Sequence, residues 1–269
     1  MSYRHKHIKK KILKLKPKKP FYKKRHFWIF FLILAVFFAG IYFLLFFDKI
    51  QVKTVIISGN KGVKTAEIKN AVLDTVNKNI TRSIFLANCK NIDKELLSNF
   101  PKIKTAETVK IFPATLSVAL TERKPAAVFC QPGGGMPPED CYFIDESGVI
   151  FEALQSLPEN MTVIRKTANN NEVLAGDDVI NKNIMDAISK TERALKDNFQ
   201  IDLKEAMLST PTRLDFTTSE KWKIYFNLES NVDMQLTEMN SVLKDEITAD
   251  ARKNLQYIDL RFKDRAFYK

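Results

Sequence analysis

Apolar residues follow three different patterns along the 269-residue chain. From Phe27 to Phe47 they are continuous, FWIFFLILAVFFAGIYFLLFF, 21 residues without a charge, Pro, Asn or Gln. As a helix rising about 1.5 Å per residue, this segment spans roughly 30 Å, the thickness of a bilayer hydrocarbon core. It exceeds the ~7–15 apolar residues of a cleaved signal peptide, and no A-x-A-like cleavage site follows before Asp48-Lys49. A buried helix of a soluble domain is rarely apolar around its whole circumference. The expectation is an uncleaved signal anchor at 27–47.

From residue 48 to 124 apolar positions recur at changing intervals that predict strand, helix, helix, strand, strand. Val52, Val55 and Ile57 lie in a β-branched run that stops at the turn Ser58-Gly59-Asn60. Thr65 is a candidate N-cap for a helix in which Ile68, Val72 and Val76 recur every four residues. A second helix after Asn91 carries Ile92, Leu96 and Leu97, and Pro101 closes it. Thr105–Phe112, with Val109 and Ile111, and Thr115–Glu122, with Leu116, Val118 and Leu120 on one face, form a hairpin around Pro113-Ala114. Such an order makes an α+β module with helices on one face of a small sheet.

A seam follows at Thr121-Glu122-Arg123-Lys124-Pro125, and residues 125–262 read as a β-rich domain with flanking helices. Cys141–Ile144 and Val149–Phe151 flank a turn at Asp145-Glu146-Ser147-Gly148. A helix at roughly 178–199 aligns Ile180, Ile184, Ile188, Leu195 and Phe199, and another aligns Val232, Leu236, Met239 and Leu243. Lys221–Leu228 alternates, with Trp222, Ile224, Phe226 and Leu228 inward, and Leu255–Phe262 is the final strand before a tail at 263–269. Alternation of this kind predicts an antiparallel sheet with one covered and one solvated face.

Charge then assigns direction. The formal net charge is +12, and residues 1–26 hold 12 of the 43 Lys and Arg with no Asp or Glu. The remainder carries 31 basic and 31 acidic side chains and is formally neutral. The positive-inside rule therefore puts the basic tail, 1–26, in the cytoplasm and residues 48–269 outside it. The tail sets topology and touches anionic lipid. A neutral outer part is a poor nucleic-acid binder. All three histidines (His5, His7, His26) precede the anchor, so a His-dependent hydrolase or His-ligated metal centre is not expected outside.

Several short runs resemble the bacterial cell-division FtsQ/DivIB family. Val55-x-Ile57-x-Gly59-Asn60, Pro101-x-Ile103, Phe112-Pro113-x-Thr115-Leu116 and Glu122-Arg123-Lys124-Pro125 look like an FtsQ-type POTRA domain over 48–124. CYFIDESGVIFE (Cys141–Glu152) and Tyr257-Ile258-Asp259-Leu260-Arg261-Phe262 are similar to the family's later strands. The insert Gln131–Pro138 departs from its pattern. The resemblance implies a non-catalytic, single-pass inner-membrane scaffold at the division septum, without cofactor, metal or small-molecule substrate. It would recruit septal cell-wall synthesis proteins through FtsB/FtsL-like partners added to the edge of the closing strand. The matching positions are Tyr257, Asp259, Arg261, Phe262 and Asp264. On physics alone the strand could equally complete the sheet, with Lys and Arg protecting its edge. Two other readings stand beside this one: a membrane-anchored envelope enzyme, and a POTRA component of protein export or outer-membrane assembly.

Other candidate chemistry is weak. Gly59-Asn60-Lys61-Gly62-Val63-Lys64-Thr65 lacks the spacing of a phosphate-wrapping loop and reads as a strand-to-helix turn. The pairs Glu139-Asp140, Asp145-Glu146 and Asp177-Asp178 sit in predicted turns or at a helix start and read as structural. Cys130 and Cys141 bracket a ten-residue loop between predicted strands in a disulfide-permissive compartment. They form either a hairpin-closing bridge or two reduced core thiols, and Cys89 is expected to be buried.

Overall fold

A computed structural model describes residues 24–132, 139–167, 173–263 and 265–269. Most of the basic tail, the Gly133–Pro138 part of the insert and Asp264 lie outside the described residues. Helix α1 (Arg25–Phe46) has no buried residue. Among the described residues it is the one helix long and apolar enough to cross a membrane.

The first module follows the spacing of its apolar residues: β1 (Thr54–Ser58), α2 (Thr65–Asn77), α3 (Cys89–Asn99), β2 (Ile103–Ile111) and β3 (Thr115–Glu122). The sheet order is β1-β3-β2, with β1 parallel and β2 antiparallel to β3. Ile68, Val72 and Val76 of α2 and Ile92 and Leu96 of α3 pack on Val55, Leu116, Val118 and Leu120, whose alternation puts them on one sheet face. Each such side chain, fully buried, contributes about 1.5–3 kcal/mol. Three expectations need correction. Thr65 begins α2 rather than capping it: Lys64 holds the N-cap position without a side-chain bond, and the Thr65 hydroxyl accepts from Asn60. Helix α3 starts earlier than Asn91, because Asn88 caps it by accepting from the Asn91 N–H. Cys89, in the first turn of that helix, is only half-buried.

The second module is one nine-stranded sheet. Its strands are β4 (Ala127–Pro132), β5 (Glu139–Ile144), β6 (Ile150–Leu154), β7 (Val163–Lys166), β8 (Leu203–Thr210), β9 (Arg213–Thr218), β10 (Lys223–Asn227), β11 (Tyr257–Phe262) and β12 (Arg265–Tyr268). They lie in the order β12-β11-β10-β9-β8-β7-β4-β5-β6. Helix α4 (Lys182–Phe199) and helix α5 (Val232–Ser241), prolonged by a π turn at Val242–Glu246, pack on the sheet. Ile188, Leu195, Met239 and Leu243 meet Phe216, Trp222, Ile224, Phe226, Ile258 and Leu260 in the core.

The sheet is mixed, not antiparallel: β4–β7, β7–β8 and β10–β11 are parallel pairs. Period-2 alternation reports which face is buried and is silent on strand direction. Direction comes from the connections, and a parallel neighbour needs a crossover. Helix α4 supplies one between β7 and β8, and α5 supplies one between β10 and β11.

Candidate binding edge and module junction

The strand expected to close the sheet does not lie at its edge. Strand β11 is paired on both sides, parallel to β10 and antiparallel to β12. The residues assigned to a C-terminal tail supply the true edge strand, β12. Ile258 lies opposite Tyr268, Asp259 opposite Phe267, and Phe262 opposite Arg265. The Lys269 N–H donates to the Tyr257 carbonyl (3.2 Å) and the Tyr257 N–H donates back (3.4 Å). Hydrogen-bonded pairs alternate along an antiparallel ladder, so the N–H and C=O groups of Ala266 and Tyr268 point away from β11.

Of the expected partner residues, Tyr257 is half-buried, its ring 5.8 Å from that of Tyr225. Asp259 is buried and accepts from the Arg261 backbone N–H (3.1 Å) and from the guanidinium (2.8 and 2.6 Å). Burial pushes the Asp259 carboxyl up, but the Arg261 contacts outweigh it and leave the group below the usual carboxylate range. The guanidinium groups of Arg213 and Arg261 both lie over the Tyr225 ring, at 5.1 and 5.3 Å. Phe262 is 51% exposed, and its ring meets that of Phe267 edge-on at 5.2 Å. Phe267 and Tyr268 are exposed as well. The edge thus carries backbone groups that β11 does not pair, flanked by three exposed aromatic rings. Tyr257, Asp259 and Arg261 stand one strand behind it, and Ala266 and Tyr268 are the backbone positions that strand-by-strand reading missed.

The other conspicuous arrangement joins the two modules. The Gly59–Thr65 run is the strand-to-helix turn expected, between β1 and α2, and it holds an anion from the same chain: the Glu122 carboxylate accepts from the N–H groups of Lys61 (2.7 Å), Gly62 (2.8 Å) and Val63 (3.0 Å). Burial raises the Glu122 carboxyl, and the three backbone donors more than offset it, so it sits below its ordinary range. Gly59, at φ +88°, makes the approach possible: a Cβ there would lie 1.9 Å from the Leu120 carbonyl oxygen. The next residue, Arg123, reaches in the other direction. Its guanidinium pairs with Asp145 of the second module and donates to the Pro101 carbonyl (3.0 Å). Asp145 also accepts from the Ser147 and Val149 N–H groups (2.9 and 3.1 Å), closing the turn read from the sequence. Here too burial raises the carboxyl and these donors lower it further, for a net downward shift. Lys102 adds a pair to Glu152 at 2.7 Å. Glu122-Arg123, Gly59-Asn60 and the Asp145 turn are therefore one assembly.

Residues 50–123 match the model of the FtsQ-type POTRA domain, and residues 136–261 match that of the cell division protein FtsQ/DivIB C-terminal domain. The chain belongs to the FtsQ/DivIB family. It is a cell-division membrane protein with one N-terminal apolar helix, a POTRA domain and a β-rich C-terminal domain. No single curated protein matches the chain. In this FtsQ/DivIB protein the POTRA match ends at Arg123, the residue that reaches across to Asp145.

Cys130 and Cys141 face each other across β4 and β5 and are bonded through sulfur. Among the described residues no three His, Cys, Asp or Glu side chains gather as a metal ion would need.

Proposed function

We propose that the protein is a non-catalytic bitopic scaffold. Its basic tail lies in the cytoplasm, its two modules lie outside, and the open edge at β12 recruits FtsB/FtsL-like divisome partners by strand addition. The observation that carries this is the edge itself. Ala266 and Tyr268 turn unpaired backbone groups outward, beside the exposed rings of Phe262, Phe267 and Tyr268. Main-chain bonds then give affinity and the rings give selectivity. Orientation rests on the 12 basic residues among positions 1–26 against the neutral remainder.

The test is capture of an FtsB-like peptide by the full chain. Phe262→Glu should leave the fold intact and abolish capture, whereas unchanged binding would remove the edge assignment. An extracytoplasmic location also favours a persistent Cys130–Cys141 bridge. Mass mapping of the protein isolated without reductant should recover the two cysteines in one linked peptide pair.

A further inference from the structure

The end of α1 is clasped by the POTRA domain. An α-helix leaves its last four carbonyls without intrahelical donors, and near a bilayer they have little water to turn to. Here the Phe43 carbonyl accepts from the Phe47 N–H (3.0 Å), that of Leu44 from the Ser83 hydroxyl (2.8 Å), and that of Leu45 from the Gln51 side-chain amide (2.7 Å). Backbone bonds extend the clasp: Val52 N–H to the Arg82 carbonyl, Ile84 N–H to that of Ile50, and Lys53 N–H to that of Ala114, each at 2.9 Å. The loop between α2 and α3 is thus held at the level of the helix's final turn, and the tip of the β2–β3 hairpin is bonded to the segment that follows the helix. Leu44 lies only two residues, or about 3 Å of rise, before the helix ends.

On these two segments stand apolar side chains that the chain leaves half or more exposed. Ile80 is 88% exposed, Phe112 58% and Phe85 50%, with the Phe85 and Phe112 rings 5.4 Å apart. The Lys110 ammonium donates to the Phe85 carbonyl (3.2 Å), and Arg82 is exposed beside them. Apolar groups with cations at the foot of a spanning helix have the composition of an interfacial contact, with rings toward the acyl chains and cations among the headgroups.

We propose that this face of the POTRA domain, centred on Ile80, Phe85 and Phe112, is a lipid-contacting surface seated at the headgroup–acyl boundary beside α1. It rests on α1 crossing the membrane. The bilayer is its occupant because the face is hydrogen-bonded to the helix end and cannot leave that depth. Seated there, the domain is fixed in tilt as well as position, and the C-terminal module is carried at a set height above the membrane.

The test uses the full chain in nanodiscs of phosphatidylethanolamine and phosphatidylglycerol, in a Cys89→Ser background. Single nitroxide labels are placed at Ile80→Cys, Phe85→Cys and Phe112→Cys. Ala39→Cys within α1 and Leu157→Cys in the second module are the references. Collision with dissolved oxygen is compared with collision with a water-soluble nickel chelate. The three POTRA positions should show an oxygen-to-nickel ratio several-fold above that of Leu157→Cys, approaching that of Ala39→Cys. Ratios equal to Leu157→Cys, or protection from both reagents as under a protein partner, would overturn the proposal while Ala39→Cys still reports lipid. An aqueous signal at Ala39→Cys would instead remove the spanning assignment of α1, and the lipid surface with it.

Discussion

Two aspartate–arginine pairs mark the two ends of what this chain does. At the module junction Asp145 is 2% exposed, and its partner Arg123 lies in a different module. At the far side of the sheet Asp259 and Arg261 are neighbours on one strand, and Arg261 is a third exposed. The first pair is satisfied wholly from within: Asp145 collects two backbone N–H groups and a guanidinium, and Arg123 also holds the Pro101 carbonyl. The second stiffens β11 and supports Tyr225, but the strand beyond it ends in unpaired backbone. Similar chemistry thus closes one region and leaves the other open. What separates them is how many of their hydrogen-bonding groups the chain itself can reach.

The largest effect should come from the closed end. Removing one partner of a buried ion pair leaves the other uncompensated and typically costs 3–5 kcal/mol. Asp145→Ala is expected near the lower limit, about 3 kcal/mol, since Arg123 keeps its bond to Pro101 and some access to water. Urea unfolding of the detergent-solubilised full chain, followed through the buried Trp222, should show the loss. A change below about 1 kcal/mol, the range of an exposed pair, would mean that water reaches the junction and the pair is not closed.

At the open end the same measurement should barely move, and binding should change instead. Tyr268→Pro deletes an N–H that bonds nothing within the sheet, so proline is tolerated there as at other edge positions. An added strand would lose that bond, worth about 1 kcal/mol or roughly fivefold in affinity, and the Tyr268 ring with it, so capture of an FtsB-like peptide should weaken by about fivefold or more. Stability reduced by the substitution with capture unaltered would invert the comparison.

Much of this division was legible beforehand, and the illegible part has a physical cause. The POTRA helices and strands follow from i, i+4 and period-2 spacing because each element buries a single face. Strand β8 escaped notice because register shifts at Leu203/Glu205 and Leu208/Thr210 break its alternation. Strand β12 has four residues, and only its pairing with β11 distinguishes it from a tail. The turn at Asp145-Glu146-Ser147-Gly148 was recognisable as a turn. That Asp145 also answers Arg123 depends on two modules meeting, which no local period records.

The smallest effect lies within the junction and depends on pH. Glu122 is less enclosed than Asp145, and Glu122→Gln keeps one acceptor oxygen for the N–H groups of Lys61, Gly62 and Val63. It loses the charge assistance and turns an amide N–H₂ toward donors that cannot accept it, an expected cost of about 1 kcal/mol at neutral pH. The folded-state carboxyl titrates below its ordinary value. Its stabilisation is therefore complete above the unfolded pKa and is lost as pH falls through the lower folded one. Wild type and Glu122→Gln should thus differ at neutral pH and converge in acid, below the usual carboxylate range. Asp145, shifted in the same direction, titrates in both proteins and cancels from the difference. A gap between the two unfolding curves that persists unchanged into acid would show that the loop is held by shape, and that the Glu122 charge contributes nothing to closing the junction.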